Sequence, residues 1–244
     1  VSDPVPAAGE LRVFPIRGVP EVRPGDDLGG MIAEAAIAEG NPLRDGDVVI
    51  VTQKVVSKAE NMLVPIDADD PLSHKPLVER ESVRILRRRG ELIVSETRHG
   101  FVCANAGIDL SNVERGYAAL LPEDSDRSAR RIRDVVRHRF GVEVGVIVSD
   151  TFGRPWRRGL TDVAIGVAGI TAIADLRGTE DAQGRVLQVT EVCVADELAC
   201  AAELVMGKAS GVAAAVVRGV DPSWLGEGSV RDQVVRNPAE DLFR

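Results

Sequence analysis

The sequence predicts an α+β fold, with mixed, largely antiparallel sheets and flanking helices, built as one body or as two lobes. Three observations carry this prediction. Strand and helix signals follow one another without a strict βαβ rhythm. Several gaps between strand candidates are too short for the crossover helix that parallel neighbours need. Of the 244 residues, 44% are hydrophobic and only 3% aromatic, so a sizeable core must be made of Val, Ile, Leu and Ala.

The elements follow in order. Residues 1–10 read as a flexible leader, and 11–244 as a single catalytic unit. Leu11–Ile16 is a strand candidate, and turns follow at Gly18-Val19-Pro20 and Pro24-Gly25-Asp26-Asp27. Asp27 is placed to cap a helix from Leu28 to Ala38, with Gly40 as its stop. Arg44-Asp45-Gly46-Asp47 signals a tight turn into Val48–Val51, a buried strand. Thr52–Lys58 either continues that strand or starts a loop. Asp67–Pro76 reads as a polar surface loop, Leu77–Arg89 as a helix, and Leu92–Ser95 as a short strand. Ser125 or Asp126 can cap a helix over Arg127–Phe140, with Gly141 as its stop. Further strands are expected at Val142–Ser149, Val163–Val167, Val186–Val194 and Ala213–Val217. Asp196–Met206 is a small-residue helix ended by Gly207.

Composition narrows the chemistry. A net charge of -8 makes a poor general binder of nucleic acid or anionic membranes. Few aromatics argue against a base-stacking platform. No apolar run approaches a membrane span. The 3 cysteines, Cys103, Cys193 and Cys200, form no C-x-x-C pair, and a reducing cytoplasm is the simpler reading. With 3 scattered histidines, a His-rich metal site is not expected.

The chemical interest therefore falls on carboxylates. Asp150-Thr151 ends an apolar run and is followed by Phe152-Gly153-Arg154-Pro155-Trp156-Arg157-Arg158-Gly159. Hard oxygen ligands beside a fork of guanidinium groups suit a divalent cation and an anionic, phosphorylated substrate. A strand-end turn, in which Asp and Thr bond their own backbone, is the plain alternative. Asn105-Ala106-Gly107-Ile108-Asp109-Leu110-Ser111-Asn112 surrounds Asp109 with small and amide residues, and Gly107 would let the backbone approach a ligand. Asp109 and Asp150 within about 4 Å would repel by roughly 1–4 kcal/mol without a cation between them. The alternative for Asp109 is an Asx-turn. Glu191 lies in an apolar run, on one strand face with Leu187, Val189 and Cys193, and is costly there unless paired, metal-bound or on a wet edge. Lys58 can reach a phosphate or stay solvated. Met206-Gly207-Lys208 lacks the P-loop pattern and follows a helix rather than preceding one.

Five stretches together resemble the coenzyme F420-0:γ-glutamyl ligases, including the amino-terminal domain of the actinobacterial fused form. They are Gly18–Glu21, Gly46–Lys58, Asn105–Asn112, Ser149–Arg157, and Val189–Val192 with Ala195–Glu197. The resemblance implies that family's α+β fold and an intertwined homodimer. It implies a GTP-dependent ligase that joins L-glutamate to a deazaflavin precursor, F420-0, and extends a γ-linked tail through an acyl phosphate. It also implies two divalent cations per site, Mn²⁺ or Mg²⁺, with K⁺ as helper. By position, Asp109 and Asp150 resemble ligands of one metal, and Thr151 and Glu191 of a second. Val19, Pro20, Glu21, Val22, Gln53, Lys58 and Asn112 resemble GTP contacts, with Met206, Gly207 and Lys208 a weaker match. Asp150, Lys58 and Arg154 are the expected catalytic residues. In the fused form a flavin-binding, nitroreductase-like domain follows, near where Asp241–Arg244 ends this sequence. The competing readings are a metal-dependent phosphohydrolase or kinase on the same carboxylates, and a non-catalytic nucleotide-binding domain.

Overall fold

A computed structural model describes residues 9–241. Most of the expected leader, and Leu242–Arg244, lie outside the described residues. In chain order the elements are β1 (Arg12–Ile16), α1 (Leu28–Ala38), β2 (Val48–Thr52), α2 (Gln53–Ala59), β3 (Leu63–Pro65) and α3 (Lys75–Glu81). Next come β4 (Ser82–Arg89), β5 (Leu92–Thr97), β6 (Val102–Ala104), β7 (Tyr117–Ala119), α4 (Ser125–Phe140) and β8 (Gly145–Gly153). The last are β9 (Leu160–Ala168), β10 (Ala174–Asp175), β11 (Glu191–Val192), α5 (Val194–Met206), β12 (Ala214–Arg218) and α6 (Val230–Gln233).

The main sheet has the order β1-β12-β2-β8-β9, and within it only β2 and β8 run parallel. The expected α+β, largely antiparallel architecture is therefore what forms. Both faces of this sheet are covered. Val49, Val51, Val146, Val148 and Val216 pack on one side with Ile32 and Ala36 of α1 and Ile132 and Val136 of α4. Val48, Ile50, Ile147, Ala215 and Val217 pack on the other with Leu198, Ala199 and Ala202 of α5. Alternate side chains of β2 thus enter different cores, which is why its sequence is an unbroken apolar run rather than an alternating one. A third, smaller core under α3 joins Val78, Ile93, Ala106, Ile108, Ala118 and Leu120. It is roofed by the sheet β4-β5-β6 and the pair β3-β7.

Helix ends follow the capping rules. Asp27 accepts from the Gly30 amide, and Gly141 closes α4 in the left-handed region. The α4 cap is Asp124, one residue before the expected pair; it accepts from the Arg127 amide at 2.8 Å. Asp126 turns inward instead. Its carboxylate accepts from the amides of Val167 (2.8 Å) and Val230 (3.0 Å) and from Ser229 Oγ (2.9 Å), tying α6 to the sheet. Close approach there needs glycine, because a Cβ on Gly166 would overlap the Ser125 backbone. Gly166→Ala is expected to destabilise the protein by about 3 kcal/mol, the upper end for overpacking. Equilibrium urea unfolding checks this, and an unchanged midpoint would show that α4 yields freely.

Three expectations fail. The strand continues only through Thr52, and Gln53–Lys58 is neither strand nor loop: the chain passes directly from β2 into α2. The expected helix over Leu77–Arg89 ends at Glu81, and residues 82–89 form β4, paired with β5 across two register shifts. Val83 and Ile85 prefer an extended backbone, and the Ser82 hydroxyl bonds back to the Val78 carbonyl at 2.6 Å. Of Val186–Val194, only Glu191–Val192 is a strand. Val189 is 85% exposed, so this β-branched run has no buried face to pack.

Candidate active site

A cleft of about 380 Å³ opens where β2 hands over to α2. Besides Asp162 of β9, four further segments complete its walls. They are the turn after β1, the Ser149–Thr151 stretch of β8, Asn112, and the end of α5 with the loop leading to β12. The cleft brings together Val19, Pro20, Glu21, Val22, Gln53, Lys58, Asn112, Met206, Gly207 and Lys208, with Asp150 and Thr151. Residues up to 189 positions apart in sequence thus share one wall.

The α2 helix explains the lysines. Lys54 and Lys58 are four residues apart, so they share a helix face, and both line the cleft. Lys58 pairs with Glu21. Lys54 pairs with Asp109 and also approaches Ser111 Oγ at 3.4 Å. A third lysine, Lys208, stands 3.2 Å from Thr151 Oγ1 and 3.9 Å from Asp109 Oδ2, and its carbonyl accepts from Asn112 Nδ2 at 3.2 Å. The Gln53 side chain is turned into the protein, donating to Ser57 Oγ at 2.6 Å and to the Leu120 carbonyl at 2.9 Å. It shapes the wall from behind.

The two aspartates are in opposite electrostatic states. Burial pushes the Asp150 carboxyl up to about 7; the Thr151 amide pulls it down, and the charge of Asp109 pushes it up further. Burial also opposes ionisation of Asp109, but its bonds to Lys54 and to Ser111 outweigh that and hold it below the usual carboxylate range. Asp150 lies inside β8, which runs on to Gly153, rather than at a strand end. Asp109 does make the Asx-turn weighed as its plain alternative, accepting from the Ser111 amide at 2.7 Å, and still faces Lys54. Gly107 has a different task from the one expected. Its φ is +71°, and a Cβ there would lie 2.8 Å from the Leu121 side chain, so it serves core packing rather than ligand approach.

Two expected site residues lie elsewhere. Glu191 does not line the cleft; it is 46% exposed and 3.3 Å from the Arg177 guanidinium. The strand that would have carried it inward is too short. Arg154 is exposed in the β8–β9 hairpin, as are Arg157 and Arg158, and none of the three lines the cleft. Cys103 and Cys193 are not activated as nucleophiles: burial pushes their thiols up to about 12.

The donors present fit a divalent cation. The charge of Asp109, which is paired with Lys54 beside the cleft, acts on the buried Asp150, and the Thr151 hydroxyl adds a hard oxygen next to Asp150. Among the described residues no group of three His, Cys, Asp or Glu side chains forms a cation site. A cation here would therefore need further oxygens from a bound phosphate or water, the usual situation for Mg²⁺.

The sequence matches the family described as F420-0:gamma-glutamyl ligase over residues 17–219. The chain belongs to that family. It is 44% identical to the coenzyme F420:L-glutamate ligase of Methanopyrus kandleri, across 96% of this chain and 98% of the relative. The protein of that name from Methanothermobacter thermautotrophicus is also 44% identical, across 96% and 99%. The one from Archaeoglobus fulgidus is 40% identical, across 96% of both chains. The family member described here is thus an amide-bond-forming ligase. Among its described residues no helix is long and apolar enough to cross a membrane.

Sequence reasoning missed Lys54, Asp162 and Glu203, all of which line the cleft. Lys54 was within reach of the sequence: a helical reading of Gln53–Lys58 puts it one turn before Lys58. Asp162 opens an apolar run and reads as a turn residue, so only strand pairing reveals it.

Proposed function

We propose that this ligase uses GTP to add L-glutamate to the deazaflavin F420-0 and then extends a γ-linked tail. One observation carries the reading. The nucleotide contacts expected from separate stretches of sequence line a single cleft with Asp150 and Thr151, and Asp109 sits at its border.

The chemistry must overcome a poor leaving group, the carboxylate oxygen. An acceptor carboxylate oxygen attacks the γ-phosphorus of GTP, and the β–γ phosphoanhydride bond breaks to release GDP. The glutamate amine then attacks the acyl carbon, loses a proton, and phosphate leaves. Phosphoryl transfer asks mainly for positioning and charge. Lys54, Lys58 and Lys208 supply fixed positive charge along the cleft. Asp109 and Asp150 would hold one divalent cation and Thr151 part of a second, Mn²⁺ or Mg²⁺. Such ions would neutralise charge on the phosphate oxygens. Glu191 and Arg154 would contribute only if their segments, or those of a second copy in a homodimer, reach the cleft. K⁺ as helper ion and a cytoplasmic setting belong to the same reading.

Mass spectrometry of the deazaflavin after incubation with GTP, Mn²⁺ and L-glutamate tests it. Products heavier by successive glutamyl residues are expected. Phosphate release at an equal rate without acceptor or glutamate, and no mass increment, would instead identify a phosphohydrolase.

A further inference from the structure

Asp162 is a carboxylate that the reaction as described does not use. It stands opposite Thr151 in the β8–β9 register and is 3% exposed. Its Oδ1 accepts from Thr151 Oγ1 at 2.8 Å and its Oδ2 from Ser149 Oγ at 3.0 Å. Among the described residues no lysine or arginine is paired with it. A buried carboxylate held only by two hydroxyls is costly, so its placement calls for a reason beyond packing.

The hydroxyl supplies that reason. A threonine Oγ carries one proton and two lone pairs. With the proton committed to Asp162, Thr151 presents only lone pairs to the cleft. Lys208 Nζ, 3.2 Å away on the cleft side, already donates to it. Without Asp162 the proton could rotate toward the cleft, where it would oppose any cation.

We propose that Asp162 is a positioning residue that locks the Thr151 hydroxyl as an acceptor toward the cleft and thereby sets cation affinity. The inference rests on the reading of Thr151 as a cation ligand. Groups that orient metal ligands from behind typically change affinity 10- to 100-fold when altered.

The test is a double-variant cycle read by Mn²⁺ binding, followed by electron paramagnetic resonance at saturating GDP. Asp162→Ala, which removes the acceptor, is expected in the otherwise wild-type chain to weaken Mn²⁺ about 10- to 100-fold. In a Thr151→Val background the same change is expected to have no further effect, because no hydroxyl remains to be oriented. A purely structural role would weaken both backgrounds alike, and that result overturns the inference, as does wild-type affinity in Asp162→Ala. Should Asp162→Ala fail to fold, Asp162→Glu keeps the charge, displaces the acceptor and runs through the same cycle with the same expectation. A wild-type chain that takes up no Mn²⁺ would overturn the cation reading itself, an outcome distinct from additive losses in a chain that binds.

Discussion

Asp150→Asn is expected to lower turnover by at least roughly 10²–10³-fold, the range for removing one preorganised electrostatic group, while making the metal-free protein more stable. Both effects come from one cause. Burial and the charge of Asp109 push the Asp150 carboxyl from 3.8 up to about 7. A group whose folded-state value is raised contributes stability that is fully present below its unfolded value. That contribution is lost as pH rises through the folded value. The metal-free wild type should therefore lose stability from about pH 4 to above pH 7. At 1.36 kcal/mol per pH unit the full shift would amount to about 4 kcal/mol. Asp150 still faces the cleft and water relieves part of this, so about 1–3 kcal/mol is the reasonable range. Asparagine has nearly the same shape and no charge to desolvate. Its melting temperature at pH 8 in a chelator should exceed wild type by several degrees, with the gap closing near pH 4. Scanning calorimetry at the two pH values and a turnover assay measure the two halves separately. Normal turnover removes Asp150 from the reaction, and equal melting at pH 8 removes the electrostatic strain.

How far the sequence disclosed this site depends on the kind of signal. Capped helices and unbroken apolar strands are local, so α1, α4, α5, β2 and β12 are legible within a residue or two. The strand–helix junction at Thr52-Gln53 is not, because Val55 and Val56 suit either state and the choice is made by packing of Val56 into the core beneath. That misreading hid Lys54. Val83–Arg89 shows the reverse case: the stretch has helical spacing, but its β-branched residues and cross-strand pairing with β5 decide the outcome. The cleft itself was legible only through whole motifs in order, since Asp109 and Asp150 are 41 positions apart (150 minus 109) and nothing local reports that the charge of one acts on the other. Glu191 fails for a related reason. Its neighbours look apolar enough for a core strand, but Val186 and Val189 stay exposed, and the carboxylate finds Arg177 instead.

The largest loss of stability is expected far from the chemistry, in Asp47→Ala. Asp47 leads directly into β2 and is 1% exposed. It accepts from Arg218 Nε at 2.8 Å and Nη2 at 2.7 Å, a bidentate pair buried at the end of β12. Arg218 also donates to the Asn41 side chain and the Pro42 carbonyl, and its guanidinium lies 5.1 Å from the Phe14 ring centroid. The pair therefore ties β1, β12 and the turn before β2 into one register. Removing the carboxylate strands a guanidinium in the interior, which costs about 3–5 kcal/mol. For a chain of this size that lowers the melting temperature by roughly 10 °C. The double replacement Asp47→Leu with Arg218→Met leaves no buried charge and should recover most of the loss. Asp47 sits at the start of β2 and the cleft at its other end, about 17 Å away at the rise of a strand. Well below both melting temperatures, Asp47→Ala should bind GTP and turn over as wild type does. A fall in affinity that tracks the fall in melting temperature would mean that the entry to β2 and the cleft at its far end yield together.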